Sequence, residues 1–293
     1  MSNDTDGIAS NGKFVALPWN ETSTLAVFPA YDFKRFDANI PLITGHHGNV
    51  LDVQFAHHND NLLASCSEDA TIKLWLLEDE AMTENRSKAD GVLKGHTKKV
   101  LGFQWHTIAE NTIASYSYDN TVRIWDVEQQ ANTITYEGIE KVPTSLRWNP
   151  SANQVGLPCK GGNLLFLDPR KEGSAIQSKA HASQKSQKLA WIDDTSFITS
   201  GFSKQAEREF MVWDQRNLTE AVSRGSLGSS SGVAHITFDQ QHHLMYMAGR
   251  GDSVIGIYQY TQATTTLAHL TDFNISNTPQ KGFNLLPKWA NDV

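Results

Sequence analysis

Cysteine is scarce in this chain of 293 residues: there are two, Cys66 and Cys159. No Cys-x-x-Cys pair and no dense cysteine framework is present, which argues against a disulfide-stapled scaffold. Both thiols are expected to be reduced, in a cytoplasmic chain, and to lie buried and inert within strands. Positive charge is outnumbered, 25 Lys and Arg against 32 Asp and Glu, for a net charge of −7. That balance excludes general attraction to nucleic acid or to anionic lipid as the organising interaction. No apolar run approaches the ~20 residues of a membrane span. The start, Met1–Gly7, lacks the basic and apolar segments of a signal peptide and is expected to be disordered. No HExxH or glycine-rich phosphate loop occurs, so neither a cofactor nor a metal is expected. Charged residues make up 19% and hydrophobic ones 39%, proportions of a globular chain.

What the chain does contain is a repeat. Residues 95–126 read GHTKKVLGFQWHTIAENTIASYSYDNTVRIWD, and residues 45–75 read GHHGNVLDVQFAHHNDNLLASCSEDATIKLW. The two overlay without gaps, so that His46, Ser65, Asp69 and Trp75 stand at the offsets of His96, Ser115, Asp119 and Trp125. A period of about 40–50 residues with Gly-His and Trp-Asp ends is the signature of an all-β, WD-repeat β-propeller. Each blade is a four-stranded sheet that cannot bury its own faces and must stack on its neighbours. The spacing predicts a hydrogen-bonded tetrad in both copies, in which Asp accepts from His, the imidazole meets the Ser hydroxyl, and the hydroxyl meets the Trp indole. Every polar group is then satisfied, avoiding about 1–3 kcal/mol per buried orphan. A hydrolase triad is the competing reading of a Ser/His/Asp set, but a triad is not expected twice at one repeat period. The chain is read as no enzyme.

Taken in order, two strand-like runs, Lys13–Trp19 and Thr24–Pro29, match the second and third strands of a repeat, with a turn at Asn20–Ser23. No first strand is expected before them. An outer strand is expected near Ile40–Thr44, followed by the two full copies with a polar loop, Glu78–Ala89, between them. The third repeat, residues 141–170, has Gly161 where Asp would be and Leu167 where Trp would be, and must rely on apolar packing. The fourth, residues 181–216, has a longer middle turn at Ser203–Glu209 and closes on Trp213-Asp214. The fifth, residues 229–260, has Asp252 in the turn and Tyr258 at the Trp position. An outer strand at Thr266–Leu270 and an inner strand at Lys281–Pro287 complete six blades' worth of strands. Residues 8–290 are read as one propeller domain, either closed by its last strands pairing with its first or forming a piece of a longer ring.

Several segments resemble one family in particular. Thr199-Ser-Gly-Phe-Ser-Lys204 with Glu207-Arg208 and Trp213-Asp214, then Ser230-Ser-Gly232, Gly249-Arg-Gly-Asp252, Pro279-Gln-Lys-Gly282 and Leu286-Pro-Lys288, are similar to the coronins and occur in family order. Asn11-Gly-Lys-Phe14, Pro41-Leu42 with Gly45-His46, and Val50-Leu-Asp52 fit as well. The resemblance implies a seven-bladed propeller that binds filamentous actin and organises the cytoskeleton as a scaffold, with other cytoskeletal proteins as further partners. It also implies a chain truncated at both ends relative to the family. The basic N-terminal segment, the rest of the seventh blade after Trp289 and the coiled coil are absent, so coiled-coil oligomerisation is not carried over. For an acidic filament, the expected contacts are the loop cations Lys34, Arg35, Lys98, Lys99, Arg250, Lys281 and Lys288, acting together because each exposed contact contributes only about 0–1 kcal/mol.

Three other signals compete with these. Trp213-Asp-Gln-Arg216 resembles the box by which some propellers serve cullin-type ubiquitin ligases as substrate receptors. Arg250-Gly-Asp252 spells an adhesion tripeptide but reads as a strand turn. The pairs His46-His47, His57-His58 and His242-His243 suggest a metal, yet neighbours on a strand point to opposite faces and do not chelate together.

Overall fold

The computed structural model describes residues 7–19, 23–31, 40–79, 82–171, 175–249, 251–274, 280 and 282–286. They form 24 strands in six four-stranded antiparallel sheets and one turn of 3-10 helix, Lys160–Gly162. The chain divides into two compact units, residues 1–139 with 284–293, and residues 140–283.

The first unit holds three sheets. These are β1(Ala9–Ser10) to β4(Leu42–Ile43), with β2(Phe14–Trp19) and β3(Thr24–Pro29) between; β5(Val50–Phe55), β6(Leu62–Ser67), β7(Thr71–Leu76) and β8(Gly91–Lys94); and β9(Val100–Trp105), β10(Thr112–Ser117), β11(Val122–Asp126) and β12(Ala131–Tyr136). Each sheet is a meander in sequence order. Its first strand lies against the first strand of the next sheet, β1 against β5 and β5 against β9. The middle strands are buried on both faces, and the buried set is shared between neighbouring sheets. Phe14, Leu25, Val27 and Ile43 pack with Val53, Leu63 and Trp75. Ala64, Ile72 and Leu74 pack in turn with Phe103, Ile113 and Trp125. Each such side chain contributes about 1.5–3 kcal/mol on burial, and most of that gain requires the neighbouring sheet.

The second unit repeats the plan. Its sheets are β13(Arg147–Trp148), β14(Val155–Pro158), β15(Asn163–Leu167) and β16(Ala175–Lys179); β17(Lys188–Trp191), β18(Ser196–Phe202), β19(Arg208–Asp214) and β20(Ser223–Ser226); and β21(Ala234–Asp239), β22(Leu244–Gly249), β23(Val254–Thr261) and β24(Thr266–Asn274). Leu164 and Phe166 pack against Leu189, Trp191, Phe197 and Trp213. Ile198, Phe210 and Val212 pack against Ile236, Met245 and Met247.

The strands depart from the sequence reading in four places. A first strand does precede Phe14: Ala9–Ser10 pairs with β2 in the register Ala9↔Ala16 and Ser10↔Val15. Asn11 makes the turn, its Oδ1 accepting from the amides of Lys13 and Phe14 at 2.9 and 2.7 Å. The first sheet thus draws all four strands from residues 9–43, and completion by the chain's last strands is not the arrangement among the described residues. Within the expected inner strand Lys281–Pro287, the described residues 282–286 form no strand. The middle turn of the fourth repeat is shorter than expected, because β19 begins at Arg208 and Glu209 pairs with Gly201 inside the ladder. Cys66 lies in β6, but Cys159 lies one residue past β14, held by an isolated bridge to Pro143. Both thiols are free and buried; burial pushes Cys66 well up and Cys159 to about 12.

In the third repeat, Gly161 and Gly162 carry φ of 77° and 80°, the left-handed turn that replaces an Asp turn. A Cβ on Gly162 would stand 1.9 Å from the carbonyl oxygen of His181. Gly162→Ala is therefore expected to lower stability by about 1–3 kcal/mol from the backbone alone, more with the clash, as read by urea unfolding. Gly138→Ala, also left-handed but with open space around it, is expected to cost less.

Candidate functional site

The hairpin turn between β6 and β7 places Asp69 beside the loop that enters β5. Asp69 Oδ2 accepts from His46 Nδ1 at 2.8 Å and from the His47 amide at 3.1 Å, and Oδ1 accepts from the Thr71 amide and hydroxyl at 3.0 and 2.6 Å. His46 Nε2 lies 2.9 Å from Ser65 Oγ, and the Trp75 indole donates to the same oxygen at 2.8 Å. The next sheet repeats the arrangement. Asp119 accepts from His96 at 3.0 Å, from the Thr97 amide at 2.9 Å and from both Thr121 donors, while His96 Nε2 and the Trp125 indole each lie 2.8 Å from Ser115 Oγ.

The donor order fixes the tautomer. The indole N–H can only donate, so the Ser oxygen accepts from it and turns its own proton toward His Nε2. The remaining imidazole proton then sits on Nδ1 and points at the carboxylate. Both Ser side chains are fully buried, and each hydroxyl oxygen is capped by an indole. As nucleophiles they have neither an open approach nor a free lone pair aimed at solvent.

Charge follows the same logic. Burial alone would raise the Asp69 and Asp119 carboxyls. Hydrogen bonds from His46, Thr71 and His47 reverse this at Asp69 and hold it well below the carboxylate range, and bonds from Thr97, Thr121 and His96 bring Asp119 to about 2. Burial outweighs the neighbouring carboxylate at His96 and lowers its pKa, consistent with a neutral ring beside an ionised acid.

A third relay went unread in the sequence. His181 Nδ1 meets Glu209 Oε1 at 2.9 Å, His181 Nε2 meets Thr199 Oγ1 at 3.0 Å, and the Trp213 indole donates to Thr199 at 2.9 Å. Thr replaces Ser, and the acid comes from strand β19 rather than from the turn, with the extra methylene of Glu supplying the reach. Gly201 makes room, since a Cβ there would stand 2.4 Å from the His181 ring. The fifth repeat uses different chemistry. Arg208 Nη1 donates to Asp252 Oδ2 at 2.7 Å, tying β19 to the turn after β22, and Ser230 Oγ donates to Asp252 Oδ1 at 3.2 Å.

Of the seven loop cations, Lys98 and Lys99 lie together between β8 and β9, while Lys34, Arg35, Arg250, Lys281 and Lys288 fall outside the described residues. Lys98 is exposed and Lys99 half-buried, with Lys99 Nζ 3.7 Å from Glu68 Oε1. Arg216 folds back on its own strand end, its Nε and Nη2 donating to Asp214 at 2.9 and 2.5 Å. Arg170 clamps Asp168 in the same way. Among the described residues, no group of three or more His, Cys, Asp or Glu is arranged to hold a metal, and no helix is long and apolar enough to cross a membrane.

The Asp119 carboxyl sits below its ordinary 3.8 in the fold, so its contribution is complete above about pH 4 and is lost as pH falls toward 2. Asp119→Asn is expected to cost about 1–2 kcal/mol at neutral pH. In urea unfolding from pH 7 to 2.5, the gap to the parent should stay constant down to about pH 4 and narrow below it.

The model of the WD domain, G-beta repeat family matches residues 39–75 and 87–126, the two repeats whose relays are built from His, Ser, Asp and Trp. Coronin-A of Dictyostelium discoideum is 39% identical over 287 residues, covering 97% of this chain and 64% of its own. Coronin-2B of Xenopus tropicalis is 37% identical over 294 residues, covering 99% and 61%. The chain thus spans less than two thirds of the length of these curated relatives. The crystal structure of the WD40 domain from Toxoplasma gondii coronin superposes with a TM-score of 0.93 at 28% identity, covering 100% of this chain and 76% of that one. Over nearly its whole length, then, this chain is a homologue of the coronins, and its six sheets are blades of a WD-repeat β-propeller.

Proposed function

We infer that the chain is a non-enzymatic, coronin-type scaffold that binds filamentous actin and, through it, joins the actin cytoskeleton together with other cytoskeletal proteins. The observation that carries this reading is the coronin likeness, which runs through 97% of the chain rather than through the WD repeats alone. The relays support the non-enzymatic part. Ser65, Ser115 and Thr199 each accept an indole N–H in the buried interior, so the three groups resembling a triad serve as structural locks. Lys98 and Lys99, on a loop pinned beside the His96 relay, are the described cations best placed to meet an acidic filament. Actin's acidic surface would recognise several such cations together, because single exposed pairs contribute little.

The ubiquitin-ligase reading receives no such support. Arg216 is engaged with Asp214 in a local clamp that recurs at Asp168 and Arg170, where no Trp-Asp end exists. A recurring strand-end clamp needs no partner to explain it.

Co-sedimentation with actin filaments tests the reading. The parent chain should pellet at low ionic strength and progressively less as salt rises. The Lys98→Glu, Lys99→Glu double variant should bind about tenfold more weakly, with unfolding within about 1 kcal/mol of the parent's because it loses the Lys99–Glu68 pair. Absence of pelleting at low salt would overturn the actin assignment.

A further inference from the structure

The hairpin turn between β10 and β11 presents a tyrosine to solvent directly beside the two lysines. Tyr118 is 40% exposed. Its ring lies beneath both ammonium groups, with Lys98 Nζ 5.9 Å and Lys99 Nζ 5.4 Å from the ring centroid. The surrounding backbone is held firmly. Ser117 Oγ lies 3.1 and 2.9 Å from the carbonyls of Lys98 and Lys99, the Tyr118 amide donates to Lys99 O at 3.0 Å, and Asp119 is fixed by its relay. The phenol therefore projects from a backbone that also holds Lys98 and Lys99 beside it.

The repeat itself shows what belongs at this position. In the overlay of the two complete copies, Tyr118 falls on Glu68, the residue between Ser67 and Asp69. Glu68 is an anion, and Lys99 already pairs with it across the blade boundary at 3.7 Å. The second copy offers two cations and a neutral ring where the first offers a carboxylate. The local acid of the turn, Asp119, is no competitor, because four donors already occupy it.

We propose that Tyr118 is a phosphorylation site whose phosphate is received by Lys98 and Lys99. A protein tyrosine kinase would transfer the γ-phosphoryl group of Mg-ATP to Tyr118 Oη. The new P–O bond forms as the bond to the β-phosphate oxygen breaks, ADP leaves, and the phenolic proton is released to base. The product carries about −1.5 to −2 charges at neutral pH and three acceptor oxygens, which suits two facing ammonium groups. Lys99 would be shared between Glu68 and the phosphate, coupling the two turns. The further consequence, masking of these lysines from an acidic filament, rests on the actin reading above; the phosphate–lysine contact does not.

The test uses the full folded chain, a broad-specificity tyrosine kinase domain and Mg-ATP. Mass spectrometry should locate phosphate on Tyr118, and Tyr118→Phe should abolish it there. Brief acetylation should then modify Lys98 and Lys99 about threefold or more slowly in the phosphorylated chain than in the unmodified one, as befits ammonium groups held in charge-assisted pairs, with Lys204 as an internal reference. Two results would overturn the proposal. One is phosphorylation of a peptide spanning residues 110–126 but not of the folded chain at Tyr118; the other is phosphorylation that leaves lysine reactivity unchanged. Neither readout involves actin, so failure of filament binding leaves this result standing or falling by itself.

Discussion

A buried indole N–H left without an acceptor costs about 1–3 kcal/mol, and at three tryptophans here the acceptor sets the geometry around it. Trp75, Trp125 and Trp213 each donate to a hydroxyl on the neighbouring strand. The hydroxyl is left with a proton to place, the imidazole takes it, and the imidazole proton ends on a carboxylate. The chain of donors runs one way, from a closing strand through a middle strand to a loop and a turn. Two paired strands, the turn between them and the loop entering the blade are thereby tied to one another. The same carboxylates also collect the amides of His47 and Thr97, so the loop entering each blade is pinned by its side chain and its backbone together.

That pinning links the core to the surface. Lys98 and Lys99 follow Thr97 directly, and their carbonyls bond Ser117 Oγ in the facing turn. The cations and Tyr118 are displayed by a loop and a turn that the relay has already fixed, so a partner need not supply the entropy of ordering them. Stacked sheets supply the apolar energy, the relays supply register, and the loops carry the charge.

Much of this was legible in the residues, and what was hidden was hidden for physical reasons. The first two relays could be read because Gly-His, Ser, Asp and Trp recur at fixed offsets. The third could not, because Glu209 reaches its histidine from within a strand and Thr199 stands in for serine. A Gly201 opposite that glutamate, with space only for a ring, was the available signal. Ala9–Ser10 is too short to show a period of two, and only the turn chemistry of Asn11 marks it. The Arg208–Asp252 pair joins adjacent blades at a separation of 44 residues and leaves no local pattern. Cys159 sits among strand-forming residues, yet the left-handed Gly161 and Gly162 end the strand before it.

The central claim is that the relay acts as one connected unit rather than as a set of independent contacts. A double-mutant cycle at Ser115→Ala and Trp125→Phe, followed by urea unfolding of the parent, both single variants and the double variant, measures this most directly. The hydroxyl and indole should couple by about 1 kcal/mol or more, the second removal costing much less once the first has been made. Losses that add to within about 0.3 kcal/mol would show the two groups to be independent and contradict the account.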